Sequence, residues 1–108
     1  MIKTPGGANV TPAEVEAALM AYPDVLEAYV TGIPAAEGGE LVAGAVVARA
    51  GEALDGDQLR ARLKGDLAVY KLPRFLWICT KADLPFLDSG KIEKRALAER
   101  IAERYVGD

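Results

Sequence analysis

Two apolar, β-branched runs, Val25 to Ile33 and Leu41 to Ala48, flank the segment Pro34-Ala35-Ala36-Glu37-Gly38-Gly39-Glu40. This arrangement constrains the chain more than any other feature. Each run favours a strand, and the Pro and Gly residues between them supply turn backbone that a strand rejects. The expectation is an antiparallel pair, which needs cover from the rest of the chain.

The remaining sequence offers that cover. Thr11-Pro12-Ala13-Glu14 reads as a capping box, with Thr11 at the cap, Pro12 at the first helical position and Glu14 reaching back to the cap amide. Val15, Ala18, Leu19 and Tyr22 then form one apolar stripe that Pro23 ends. After a loop from Gly51 to Gly56, Asp55 or Asp57 caps a second helix bearing Leu59, Leu63 and Leu67, weakened at Gly65. Arg74 to Thr80 is a third strand candidate, and Ile92 to Tyr105 a third helix with Ala98, Ile101 and Tyr105 on one face. Thr4-Pro5-Gly6-Gly7-Ala8-Asn9 reads as a loop. The order predicts an α+β fold, a small sandwich of a mostly antiparallel sheet with helices packed against it.

At 108 residues, without repeats or low-complexity tracts, the chain is expected to be a single domain, 1–108. It has no histidine and one cysteine, which removes Ser-His and Cys-His nucleophile pairs and leaves no expected metal site. Cys79 sits in the apolar run Phe75-Leu76-Trp77-Ile78-Cys79 and reads as a reduced core thiol, as in a cytoplasmic protein. A net charge of −3 argues against nucleic-acid binding. The opening residues form no signal peptide, and no run is long enough for a transmembrane segment.

The stretch Leu84-Pro85-Phe86-Leu87-Asp88-Ser89-Gly90-Lys91-Ile92-Glu93-Lys94-Arg95 places a cation, Lys91, on a turn just ahead of a helix. It is not a P-loop, because Pro85 stands where the first glycine belongs and Ile92 where Ser or Thr belongs. It resembles the last motif of the adenylate-forming superfamily, Pro-x-x-x-x-Gly-Lys, a hydrophobic residue and then a basic pair. The start of the chain, from Ile2-Lys3 through Gly6-Gly7 to Pro12-Ala13-Glu14-Val15-Glu16, resembles an earlier motif of the same superfamily, and Tyr70-Lys71-Leu72-Pro73 its Tyr-Lys-x-Pro element. The three stand in family order and span nearly the whole chain. Two departures fall at loops: Pro5-Gly6-Gly7 is one residue longer than usual, and Phe86-Leu87-Asp88 replaces a commoner polar segment.

The likeness is greatest to the acyl- and aryl-CoA synthetase branch. It implies that residues 1–108 are the mobile C-terminal domain of an ATP-dependent, AMP-forming acid–CoA ligase of fatty acid or related metabolism. The large N-terminal domain, with its ATP loop and acyl pocket, is absent from this sequence and would be the domain's partner. The same resemblance makes Lys91 the lysine of the adenylation step. After domain rotation it makes the Gly6-Gly7 loop a CoA-facing surface and Lys3 a candidate for the second step. Lys71 and Arg74 are candidates for the phosphates of CoA, against the plainer role of solvated charges around Pro73. The cofactors implied are ATP, Mg and coenzyme A, and the substrate a carboxylic acid. The alternative is a free-standing α+β interaction or regulatory module that kept the scaffold without the chemistry.

Overall fold

The computed structural model describes residues 1–105. Its elements are β1 (Ile2–Lys3), β2 (Asn9–Val10), α1 (Pro12–Met20), β3 (Val25–Pro34), β4 (Glu40–Ala48), α2 (Gly56–Leu63), β5 (Phe75–Cys79) and α3 (Lys94–Arg104). Short 3-10 turns lie at Val69–Lys71 and Lys81–Asp83.

β4 is central because it is the one strand apolar on both faces, with every residue from Leu41 to Val47 buried. Its alternating side chains feed two cores. Val42 and Val46 meet Val15 and Leu19 of α1, Leu59 and Leu63 of α2, and Ile2 and Val10 of the first two strands. Leu41, Ala43, Ala45 and Val47 meet Leu84 and the α3 residues Leu97 and Ile101. Fully burying a Leu or Ile contributes roughly 1.5–3 kcal/mol, so each layer is held chiefly by its apolar stripe. The sheet is thus covered on both faces, α1 and α2 on one and α3 on the other.

β3 and β4 pair antiparallel, Val30 opposite Gly44 and Pro34 opposite Glu40, as the flanked runs require. β5 pairs parallel to β4, Ala43 opposite Phe75 through Val47 opposite Cys79. The three-stranded sheet is therefore mixed. The segment after β4 crosses over through α2 before β5, and such a crossover returns the chain in the same direction. Thr4–Asn9, expected as a loop, is mostly the turn of a small antiparallel hairpin in which Ile2 faces Val10.

Three turns share one construction. At Thr4–Ala8, Ala35–Gly39 and Leu87–Lys91 the first carbonyl accepts from the fourth N–H (2.9, 3.1 and 2.8 Å), and the first N–H donates to the fifth carbonyl (2.9, 3.1 and 2.7 Å). The fourth residue is glycine each time, Gly7, Gly38 and Gly90, with φ of +88°, +93° and +89°. A turn closed by a left-handed residue of this kind favours glycine, and two of the three carry candidate site residues.

The helix starts differ from expectation in detail. Asp55 caps α2, accepting from the N–H groups of Asp57 (2.8 Å) and Gln58 (3.2 Å). Thr11 precedes α1 with Pro12 at its first position, but its side chain makes no cap bond. The capping box does not form, and Glu14 instead reaches Lys71. α3 starts at Lys94, because Ile92 bridges to Phe86 across the turn and Glu93 caps the helix through Arg95 and Ala96, each at 3.0 Å.

Candidate functional site

The six candidate residues fall on two surfaces. Lys91 follows Gly90 on the Leu87–Lys91 turn and is exposed, with no ion-pair partner among the described residues. Its surroundings are fixed from several directions. Leu84 is buried beneath the segment, and Phe86 meets Tyr29 of β3 edge-on at 5.8 Å. The Glu93 N–H donates to the Pro85 carbonyl at 2.8 Å. The result is a charged tip on a short, well-anchored hairpin on the α3 face.

The second surface lies beside the β1–β2 hairpin. A groove of about 340 Å³ opens between its turn and the segment before β5, lined among others by Pro5, Gly6, Val42, Tyr70, Leu72 and Arg74. The hairpin cannot drift from this position easily. A side chain at Gly39 would come within 3.1 Å of the Lys3 carbonyl oxygen and the Pro5 nitrogen, so a glycine there lets the β3–β4 turn press on the β1 backbone. The Lys3 N–H also faces Glu40 Oε1 at 3.4 Å. Gly7 shapes the turn, whereas Gly6 lies on the groove wall, where an added Cβ would meet nothing within 4 Å.

The cations around this groove are not equivalent. Arg74 is exposed on the wall, and its N–H donates to the Val42 carbonyl at 2.7 Å, which fixes its backbone to the sheet. Lys71 donates to Glu14 Oε2 at 2.7 Å, and that hydrogen bond holds its pKa above the ordinary lysine value. Lys3 is exposed on β1 and does not line the groove. The structure therefore brings Gly6 and Arg74 together, ties Lys71 to α1, and places Lys91 on a separate hairpin that does not line the groove.

Two contacts around Lys91 were hidden from sequence reasoning. Lys94 Nζ donates to the Val30 carbonyl at 2.6 Å and to Glu16 Oε2 at 3.2 Å, while Glu16 Oε2 accepts the Val30 N–H at 2.8 Å. The Phe86–Tyr29 contact was equally invisible, since neither residue signals the other along the chain.

The chain matches the family described as AMP-binding enzyme C-terminal domain over residues 14–91. It is 36% identical over 102 residues to the mitochondrial medium-chain acyl-CoA ligase of Danio rerio, covering 94% of this chain and 16% of that protein. It is 41% identical over 96 residues to a feruloyl-CoA synthase of Amycolatopsis, covering 89% and 19%. The fold superposes on ATP-bound MatB from Rhodopseudomonas palustris with a TM-score of 0.82 at 37% identity, covering 93% of this chain and 20% of that one. The chain thus spans about a fifth of the length of such relatives. Its fold, its motif order and these matches together show that the chain belongs to the AMP-binding enzyme C-terminal domain family, the C-terminal portion of adenylate-forming enzymes such as the acyl-CoA synthetases.

Proposed function

We propose that the chain acts as the moving C-terminal domain of an ATP-dependent, AMP-forming acid–CoA ligase, presenting Lys91 for adenylation and the Gly6 groove for thioester formation. The observation that carries this is the separation of the two surfaces. Lys91 projects from the hairpin on the α3 face, while the groove opens beside the β1–β2 hairpin at the start of β4, lined by Leu41 and Val42 from the two faces of the sheet and by no residue of the Lys91 hairpin. One active site on a companion N-terminal domain meets both surfaces in turn if the domain rotates.

In the first step a carboxylate oxygen attacks the α-phosphorus of ATP, giving an acyl-adenylate and expelling pyrophosphate. An exposed ammonium on a fixed turn suits that step by positioning the carboxylate and offsetting charge that builds on the phosphate oxygens. This role is electrostatic, not that of a base. In the second step the CoA sulfur bonds to the acyl carbon, its proton is lost and AMP leaves. The groove is mostly apolar with Arg74 and Glu40 as the charged groups on its wall, and Arg74 fits a pantetheine arm leading toward a phosphate. Lys71 would have to leave Glu14 to join it, and Lys3 stands nearby as a second-step candidate.

The test is Lys91→Ala in the full-length enzyme. Loss of one preorganised donor costs about 3–4 kcal/mol, so ATP-dependent pyrophosphate release should slow roughly a hundred- to a thousandfold. Thioester formation from supplied acyl-adenylate should stay near normal. Equal slowing of both half-reactions, or of neither, would remove Lys91 from the adenylation step and leave the chain as a binding module.

A further inference from the structure

We propose that Lys94 is a positioning residue for Lys91, holding the base of the Leu87–Lys91 hairpin to the open edge of β3 through a shared contact with Val30 and Glu16. The inference rests on the reading of Lys91 as the adenylation lysine.

β3 is an edge strand of the three-stranded sheet, so alternate peptide groups along it face away from β4. At Val30 both outward groups are taken. Its N–H donates to Glu16 Oε2 from α1 at 2.8 Å, and its carbonyl accepts from Lys94 Nζ at the start of α3 at 2.6 Å. The two side chains also meet each other at 3.2 Å. α1 and α3 lie on opposite faces of the sheet, so this pair joins the two layers around the edge.

The location matters more than the ion pair, whose side chains are 26% and 46% exposed and which would contribute little as a surface salt bridge. Lys94 stands three residues after Lys91, at the point where the hairpin becomes helix. The other arm of that hairpin is anchored by Phe86 on Tyr29, the residue before Val30. The two arms are thus fixed to consecutive residues of one strand, one by ring packing and one by a charged hydrogen bond. Without Lys94 the arms stay bonded to each other and Ile92 stays packed on the core, but the second arm loses its polar tether to β3, so the hairpin can shift relative to that strand. A shift of about 1 Å in a group that orients a reacting carboxylate is enough to cost roughly a hundredfold in rate.

In the full-length enzyme, Lys94→Met should lower the rate of pyrophosphate release by roughly ten- to a hundredfold. It should leave thioester formation from supplied acyl-adenylate unchanged, and Lys94→Arg should restore most of the loss. Placed on Lys91→Ala, Lys94→Met should add nothing, because there is no longer a lysine to position. The proposal is overturned if Lys91→Ala slows adenylation but Lys94→Met slows both half-reactions alike, or if the two effects multiply. If Lys91→Ala itself leaves adenylation intact, the underlying reading fails first and takes this inference with it. Should Lys94→Met not fold, Glu16→Gln removes the charge facing Lys94 while keeping an acceptor for the Val30 N–H. A smaller loss confined to adenylation would then support the proposal, and no change in adenylation would overturn it.

Discussion

At the scale of single residues, adjacent glycines on the β1–β2 turn have different reasons to be glycine. Gly7 has φ of +88° and closes the turn, so a side chain there is strained even though the space around it is open. Gly6 is not in the left-handed region, and a Cβ at that position meets nothing in this chain. Gly7→Ala should therefore destabilise the isolated chain by about 1–2 kcal/mol, while Gly6→Ala should leave it unchanged or raise it by about 0.4–1 kcal/mol. Urea unfolding of the two variants checks this. Gly6→Leu is then the clean probe of the groove: in the full-length enzyme it should slow thioester formation and spare pyrophosphate release, and equal loss in both would mean that the groove does not take the CoA arm. The pair was visible in the sequence as one flexible loop. The split between turn-forming and groove-lining glycine depends on φ and on neighbours, which the sequence does not state. The turn that carries Lys91 was legible because its signals are local, whereas the contact of Lys94 was not, its acceptor being 64 residues away at Val30.

At the scale of elements, the helices and the antiparallel β3–β4 pair could be read from periodicity and turn residues, because both depend on side chains near in sequence. The parallel placement of β5 could not, since it is decided by how the crossover through α2 packs on the sheet. Caps show the same boundary. Asp55 was one of two candidates and does cap α2, whereas the Thr11–Glu14 box was plausible locally and lost to a tertiary partner, Lys71. Asp55→Ala should accordingly cost about 1 kcal/mol through two uncapped N–H groups. Thr11→Ala should stay within about 0.5 kcal/mol, as for a surface change. Chemical denaturation of both variants under one set of conditions measures the contrast, and a Thr11 effect as large as that of Asp55 would show that the box forms in solution.

At the scale of the whole molecule, three groups make the fold sensitive to alkali. Burial raises the Cys79 thiol from its ordinary 9.0 to about 11, with Asp83 adding to the rise. Burial raises Tyr22 and Tyr29 from 10.0 to about 12, helped by their hydrogen bonds to Asp66 and Glu27. Above pH 9 the unfolded chain loses these protons before the folded one does, so the folded state binds more protons and stability must fall as pH rises. Thermal midpoints should hold up to about pH 9 and drop progressively toward pH 12, with Cys79→Ala removing the earliest part of the fall. Both cores are closed by this chain's own residues, and no buried side-chain polar atom lacks a partner among the described residues. Several apolar side chains stay exposed: Val69 and Tyr70 on the groove wall, 84% and 51% exposed, Phe86 and Leu87 on the Lys91 hairpin, 36% and 49% exposed, and Met1, Met20 and Leu26 as well. A surface of this kind suits a domain that presents two faces to a partner in turn. On the proposed reading the 108 residues alone should unfold in one cooperative urea transition, yet form no acyl-CoA from ATP, acid and CoA, because that reading has the reacting groups converge from two domains. Acyl-CoA production by the isolated chain would overturn the two-sided reading, and failure to fold alone would show that one of the cores needs cover this chain does not supply.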